Sequence, residues 1–146
     1  MKEMIRGLFL LIIVTSSSLV FAEQVETRGD YKIHYSAFSS TVLKPEISSH
    51  YQLVRSRFQG VINIAVLKAE GKSSKANTAV VNGTTRNLLG QTQKVKFKEI
   101  REGDAIYYLG SFRFNNQEIL TFDVKVQPDP NKAPYTVKFQ KKFYAD

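Results

Sequence analysis

Hydrophobic and polar positions alternate along much of the chain, most regularly from Asp104 to Val126 (DAIYYLGSFRFNNQEILTFDVKV). Ile106, Tyr108, Phe112 and Phe114 fall on one face there, interrupted by Gly110. Leu120, Phe122, Val124 and Val126 repeat the pattern after a polar run. A period of two predicts strands with one buried and one wetter face. The simplest connection is a hairpin in which Phe112 opposes Phe122 and Phe114 opposes Leu120, because a one-residue slip turns every side chain over. That register asks for an odd loop, Asn116, Gln117 and Glu118, with one residue in the left-handed region. It also sets Arg113 diagonally from Asp123 on the exposed face, within ion-pair reach.

The remaining elements follow the same pattern. Val25 to Phe38 predicts a first strand, with Tyr31, Ile33 and Tyr35 alternating with Lys32, His34 and Ser36. Pro45-Glu46 suits the first turn of a helix, and one or two turns over 45–51 are expected to cross between sheets. Arg57 to Lys68 (RFQGVINIAVLK) is largely apolar on both faces, as expected of a strand near the middle of a sheet. Ala69 to Asn77 reads as a solvated loop. Within Thr78 to Gln91, Asn82-Gly83 is a hairpin signal, yet its flanks are short. One bulged strand running to Leu89 is preferred. Gln93 to Glu102 predicts one strand, with Val95 and Phe97 on one side and Lys94, Lys96 and Lys98 on the other. Arg101 to Asp104 is a turn, and QPDPNKAP with its prolines is a solvated connection. Tyr135 to Tyr144 closes the chain, with Lys141 in phase with Tyr135, Val137, Phe139 and Phe143. These elements predict an all-β, immunoglobulin-like sandwich of about seven antiparallel strands with one short helical turn. A small barrel is the alternative.

The N-terminus changes the compartment. Lys2 and Arg6 precede the apolar run GLFLLIIV, and Val20-Phe21-Ala22 is a small-residue cleavage site. This is the layout of a signal peptide over 1–22, cut after Ala22, leaving a single domain over 23–146 in the periplasm. An uncleaved anchor is the alternative, but the run is shorter than the ~20 apolar residues a spanning helix needs. No cysteine follows the run, which excludes a lipoprotein, and none occurs anywhere. Thiol redox chemistry, zinc-thiolate sites and cysteine nucleophiles are thereby excluded. Without the leader the chain carries 19 basic and 12 acidic residues. A net charge of that sign keeps a small domain soluble and favours anionic partners.

The stretches GDYKIHYSAFSSTVLKPEI, RSRFQGVINIAVL, NGTTRNLLGQ, FKEIREGDAIYYLGSFRF and KFQKKFY add a further indication. Together they resemble an uncharacterised family of small exported proteins of Gram-negative bacteria, domain of unknown function 4426. The resemblance implies a periplasmic single domain and transfers no catalytic residues.

Catalytic constellations are thin. His34 and His50 are the two histidines, and neither lies in a ligand-spaced cluster such as H-x-x-x-H. Ser36 and Ser40 neighbour His34 in sequence, but no G-x-S-x-G elbow is present. Glu99, Glu102 and Asp104 sit at a turn, where acidic residues are ordinary. No enzyme activity, metal or cofactor is therefore expected, and a hydrolase ranks a distant third. Lys94, Lys96 and Lys98 on one strand, with Lys138, Lys141 and Lys142 on another, either form a basic patch or guard strand edges against pairing. Arg55, Arg57 and Arg86-Asn87 carry donors suited to carboxylate or phosphate. Asn63, in an apolar strand, needs hydrogen-bond partners that its neighbours are expected to supply. Six tyrosines (31, 35, 107, 108, 135 and 144) are shared between core and rim, with Tyr107 facing away from the apolar side.

The candidate binding set is thus Arg55, Arg57, Asn63, Arg86, Lys94, Lys96, Lys98, Tyr107 and Arg113. The function expected is a non-catalytic protein-interaction module of the cell envelope, using a strand edge or loop end to hold another envelope protein. The alternative is a binder of a small anionic ligand or envelope polyanion through the Lys/Arg patch. Nucleic acid is not expected, because no stacking aromatics interleave with the lysines. Nor is stable membrane insertion expected once the leader is gone. Protein recovered from the periplasmic fraction is expected to begin at Glu23; an intact mass retaining residues 1–22 would refute cleavage after Ala22.

Overall fold

The computed structural model describes residues 23–146, so the predicted leader and its apolar run lie outside the described residues. In chain order the strands are β1 (Gln24–Arg28), β2 (Tyr31–Ser39), β3 (Gln59–Glu70), β4 (Ser73–Ala76) and β5 (Val80–Asn87). They continue with β6 (Thr92–Val95), β7 (Phe97–Glu102), β8 (Ala105–Arg113), β9 (Glu118–Gln127) and β10 (Tyr135–Phe143). The single α-helix among the described residues, α1, spans Pro45–His50, where Pro45 and Glu46 placed it. The strands form two antiparallel sheets packed face to face, an all-β sandwich. One has the order β1-β2-β3-β8-β7, with β4 also pairing β3, and the other has the order β10-β9-β5-β6. As its apolar faces require, β3 is central. No helix among the described residues is long and apolar enough to cross a membrane.

The core lies between the layers. Ile33, Tyr35, Ile62, Ile64, Val66, Tyr108 and Phe112 of the larger sheet meet Leu120, Phe122, Val124, Val126, Val137 and Phe143 of the smaller. The alternation read along β8 and β9 is therefore correct, but their pairing is not. β8 lies between β3 and β7, while β9 lies between β10 and β5, so the two strands are joined by an arch between layers. Phe112 opposes Gly60 within its sheet, and Phe122 opposes Phe139 and Thr85 within the other. The two rings still meet, edge to face, with centroids 5.0 Å apart across the interlayer gap. Two apolar faces can be buried side by side against a third layer or directly against each other. With bulky rings on both strands, stacking the layers buries both faces at once. Gln117, at φ 61°, supplies the left-handed residue in the connection. Arg113 and Asp123 end in different sheets, and Asp123 pairs with Lys125 at 3.3 Å instead.

Among the described residues ten strands appear where about seven were read, for local reasons. Gly29, at φ 58°, folds the predicted first strand into the β1–β2 hairpin. Gly71, at φ 61°, turns the expected loop into β4. The stretch 93–102 breaks at Lys96, sending β6 to one sheet and β7 to the other. α1 does not cross between sheets, since β2 and β3 are direct neighbours. β5 pairs with β9 in unbroken register, so Asn82-Gly83 makes neither a hairpin nor a bulge. The glycine allows close packing there: a Cβ on Gly83 would stand 3.1 Å from Phe97 and 3.3 Å from Val124, tighter than ordinary contact.

The open flanks are stitched differently. On one, the chain bends over the corner at Lys96, and Val95 packs onto Gly110, where a Cβ would stand 2.4 Å from Val95 Cγ1. On the other, Arg28 donates to the Thr136 carbonyl at 3.3 Å and the Tyr35 and Phe139 rings lie 4.8 Å apart. Lys141, in phase with the core, donates its ammonium to the Ala37 carbonyl, and burial lowers its pKa. Gly110→Ala is expected to destabilise the fold by about 1–3 kcal/mol by urea titration, because a methyl group overpacks the Val95 corner. An unchanged midpoint would show that corner to be slack.

Candidate functional site

The groups that acid–base chemistry would need are apart. His34 Nδ1 faces Glu23 Oε1 at 3.5 Å, while His50 lies edge-on to Tyr51 at the end of α1. Ser40 is buried in a knot with Ser56, donating to its carbonyl at 2.8 Å and accepting from its amide at 2.9 Å. Glu99 pairs with Arg101 at 3.0 Å. Among the described residues no group of three or more His, Asp or Glu is placed to hold a metal ion.

Several of the basic candidates are engaged within the fold. Arg55 donates to the carbonyls of Leu43 at 2.9 Å and Thr41 at 3.1 Å, bracing the loop that leads into α1. Arg57 lies over the Phe58 ring at 4.9 Å. Lys98 donates to the Tyr51 carbonyl at 3.2 Å. Arg113 is locked through its backbone: its amide donates to Gln93 Oε1 and its carbonyl accepts from Gln93 Nε2. These four do not converge on one site.

Arg86 and Lys94 do come together, on the outer side of the four-stranded sheet, and Lys96 follows at its edge, where the chain leaves for the other sheet. One rung there reads Lys138, Asp123, Thr84, Lys94 across β10, β9, β5 and β6. The next reads Gln140, Thr121, Arg86, Thr92. Lys125 and Lys142 occupy neighbouring rungs on the same side. Among the described strand positions of this face only Asp123 is acidic, and it is held by Lys125. Four strands at roughly 4.8 Å spacing confine these cations to a width of about 14 Å. An open cleft of about 690 Å³ lies between Lys94, Lys96 and Lys125, floored by Gly83 and Phe97. Lys125 escaped the sequence reading, although it alternates with Val124 and Val126. Its membership in the patch shows only once β9 is known to lie beside β5.

Asn63 and Tyr107 meet on the opposite side of the molecule. The outer side of an antiparallel sheet is ordinarily wet, but here it carries Val61, Ala65, Leu67 and Leu109. α1 and its flanking loops roof part of it, leaving a cleft of about 300 Å³ lined by Leu43, Ile47, Tyr51, Leu109, Asn63 and Tyr107. Asn63 faces Ser36 on one side and Leu109 on the other. Its Oδ1 is shut off from solvent with no hydrogen-bond partner, and so is His34 Nε2 nearby. The expectation that neighbours satisfy Asn63 therefore fails for this atom: Val61 and Leu109 have nothing to donate, and the Ser36 hydroxyl opposite makes no hydrogen bond to it.

DUF4426, a domain of unknown function, matches residues 25–146. The chain belongs to the DUF4426 family. A DUF4426 protein of Pseudomonas aeruginosa PAO1 is 35% identical over 85% of this chain and 96% of its own, with a TM-score of 0.72. FetP of uropathogenic Escherichia coli strain F11, expressed in the E. coli periplasm, shares the fold at 12% identity and a TM-score of 0.59, covering 83% of this chain and 93% of FetP. A copper-bound variant of FetP is similar at 13% identity and a TM-score of 0.56, covering 84% and 95%. No curated protein matches this DUF4426 member. Arg55→Ala is expected to speed amide exchange across 41–55 by roughly tenfold through loss of its two carbonyl contacts, leaving β3 and β9 protected. Uniform acceleration over the whole chain would contradict that local role.

Proposed function

We propose that this DUF4426 member is a non-catalytic interaction module of the bacterial envelope that holds an anionic surface against the outer face of its four-stranded sheet. The observation carrying this reading is the clustering of Arg86, Lys94, Lys125, Lys138 and Lys142 on one flat side with a single opposing carboxylate. Each lysine or arginine near an anionic lipid surface contributes about 1 kcal/mol, falling off within a Debye length. A flat cationic array complements a planar array of phosphates, and Tyr144, half exposed, lies beside it under the Lys142 ammonium. The periplasmic setting is supported by the leader-like N-terminus. Strand addition at an edge is the weaker route to a partner, since β10 is tied to β1 and β2 through Arg28 and Lys141.

The cleft between Lys94, Lys96 and Lys125 supports a second reading, a small anion held in that concavity. Co-sedimentation with phosphatidylglycerol vesicles separates the two. Binding is expected at low salt, to be absent with phosphatidylcholine, and to weaken at least tenfold in the double variant Lys94→Glu/Lys138→Glu. Vesicle binding abolished by millimolar inorganic phosphate at constant ionic strength would favour the cleft. Failure to bind anionic vesicles at low salt would refute the lipid-surface reading.

A further inference from the structure

We infer that the turn between β5 and β6 is a lipid anchor: Leu88 and Leu89 enter the acyl region of an anionic bilayer while the cations behind them hold its headgroups. The inference rests on the lipid-surface reading above and gives it a point of entry, with the basic face leaning onto the bilayer turn end first. Leu88 and Leu89 are the most exposed large hydrophobic side chains among the described residues, at 74% and 84%. A single exposed leucine is ordinary, but two side by side at the apex of a turn, where polar residues are the rule, are not.

Folding does not ask for these leucines, because Asn87 and Gly90 build the turn. Asn87 Oδ1 accepts from the amides of Leu89 at 3.1 Å and Gln91 at 2.8 Å, and the Asn87 carbonyl accepts from Gly90 at 3.0 Å. Gly90 takes φ 80°. Asn87 Nδ2 donates to Gln91 Oε1 at 2.8 Å and to Glu118 Oε2 at 3.2 Å, tying the apex to the start of β9. The shape is therefore set before contact, so insertion has no loop to order. Three consecutive amides at the apex already have acceptors, and it can leave water without stranding them, as hydrocarbon requires of any backbone. A protein partner could supply acceptors of its own; a lipid tail cannot.

The side chains around the apex are those of a membrane boundary. The Arg86 guanidinium lies against the turn, where a Cβ on Gly90 would stand 3.3 Å from its Nη2. Lys142 faces Ile119, one rung beyond the Asn87–Leu120 pair and so level with the turn. Its ammonium is 5.5 Å from the ring of half-exposed Tyr144. From the other sheet, half-exposed Phe58 borders the same open cleft as Asn87 and Gln91, with Arg57 4.9 Å over its ring. Tyrosine and basic side chains settle at headgroup level, with leucine deeper. Two carboxylates stand close by: Glu118, bonded by Asn87 and Asn115, and Asp146, two residues beyond Tyr144. The three cations outnumber them, and charge and apolar area act together in binding an anionic interface.

The chain has no tryptophan, so Leu89→Trp makes the apex its single indole reporter. Val80→Trp, at the exposed start of the same strand and roughly 25 Å away, is the control. On phosphatidylglycerol vesicles at low salt, emission from position 89 is expected to move to shorter wavelength and to be quenched by chain-brominated lipid, with neither change at position 80. Leu88→Ser/Leu89→Ser is expected to keep the melting temperature and to co-sediment with the same vesicles roughly tenfold to a hundredfold more weakly, through loss of two buried leucines. Absence of binding by the unsubstituted chain would remove the lipid-surface reading and this one together. Undiminished binding by the folded double-serine variant, or equal quenching at positions 80 and 89, would leave the basic face in place and overturn the anchor alone. So would a dimer that dissociates in the double-serine variant while the reporter at 89 stays in water on vesicles, which would make the apex a contact between copies of the chain.

Discussion

Packing of the Phe112 ring against the Phe122 ring holds the two layers in their relation to each other. Around that contact lie Phe114, Phe139 and Phe143, with Phe122 stacked on Phe139 at 4.6 Å and Phe112 at 5.1 Å from Phe143. Aromatic pairs of this kind contribute about 0.5–1.5 kcal/mol each beyond the area they bury. In a domain without cysteine, such packing does the work that disulfides do in many exported proteins. Its geometry is demanding. The Phe112 ring covers Gly60 so closely that a Cβ there would stand 2.2 Å from Cζ. It also forces β8 and β9 into different layers, because rings facing each other across the gap cannot be neighbours along one ladder.

What the sequence revealed and what it hid divide along that line. Alternation is local, so the inward sets on β2, β3, β8, β9 and β10 were readable residue by residue, as was the proline-led start of α1. Pairing is not local. The same phases of Phe112 and Phe122 fit a hairpin or an arch, and only the third dimension distinguishes them. Single-residue switches were hidden for a similar reason: Lys96 continues the alternation from Val95 to Phe97 while the chain changes sheet beneath it. Gly29 and Gly71 were legible in principle, since a glycine between alternating runs marks a tight turn. Asn82-Gly83 showed the opposite failure, a strong turn signal whose glycine serves packing against Phe97 and Val124.

The candidate surfaces follow from the same constraint. Since the aromatic seam consumes the inner faces and the flanks are tied through Val95 on one side and Lys141 on the other, the outer faces remain as broad surfaces for recognition. They differ in chemistry. On the smaller sheet, lysine and arginine dominate the charged outward positions, with Asp123 the one acidic position among the described strand residues, which suits a hydrated anionic surface. On the larger sheet, outward positions of β3 and β8 are apolar around Asn63, and α1 and its flanking loops roof part of them. Arg86, Lys94, Lys138 and Lys142 were each visible in the sequence, but that they share one face with Lys125 rested on β5 and β9 being neighbours. Asn63 stands out in the sequence as a polar residue in an apolar strand, and that its Oδ1 makes no hydrogen bond, even with Ser36 opposite, is visible only in three dimensions.

Nuclear Overhauser contacts of Phe112 test the layered arrangement most directly. Ring protons of Phe112 are expected to contact ring protons of Phe122, while its backbone contacts those of Gly60 on β3. Backbone contacts between Phe112 and Phe122 would mean that β8 and β9 pair in one ladder, contradicting the two-layer account and the outer faces built on it.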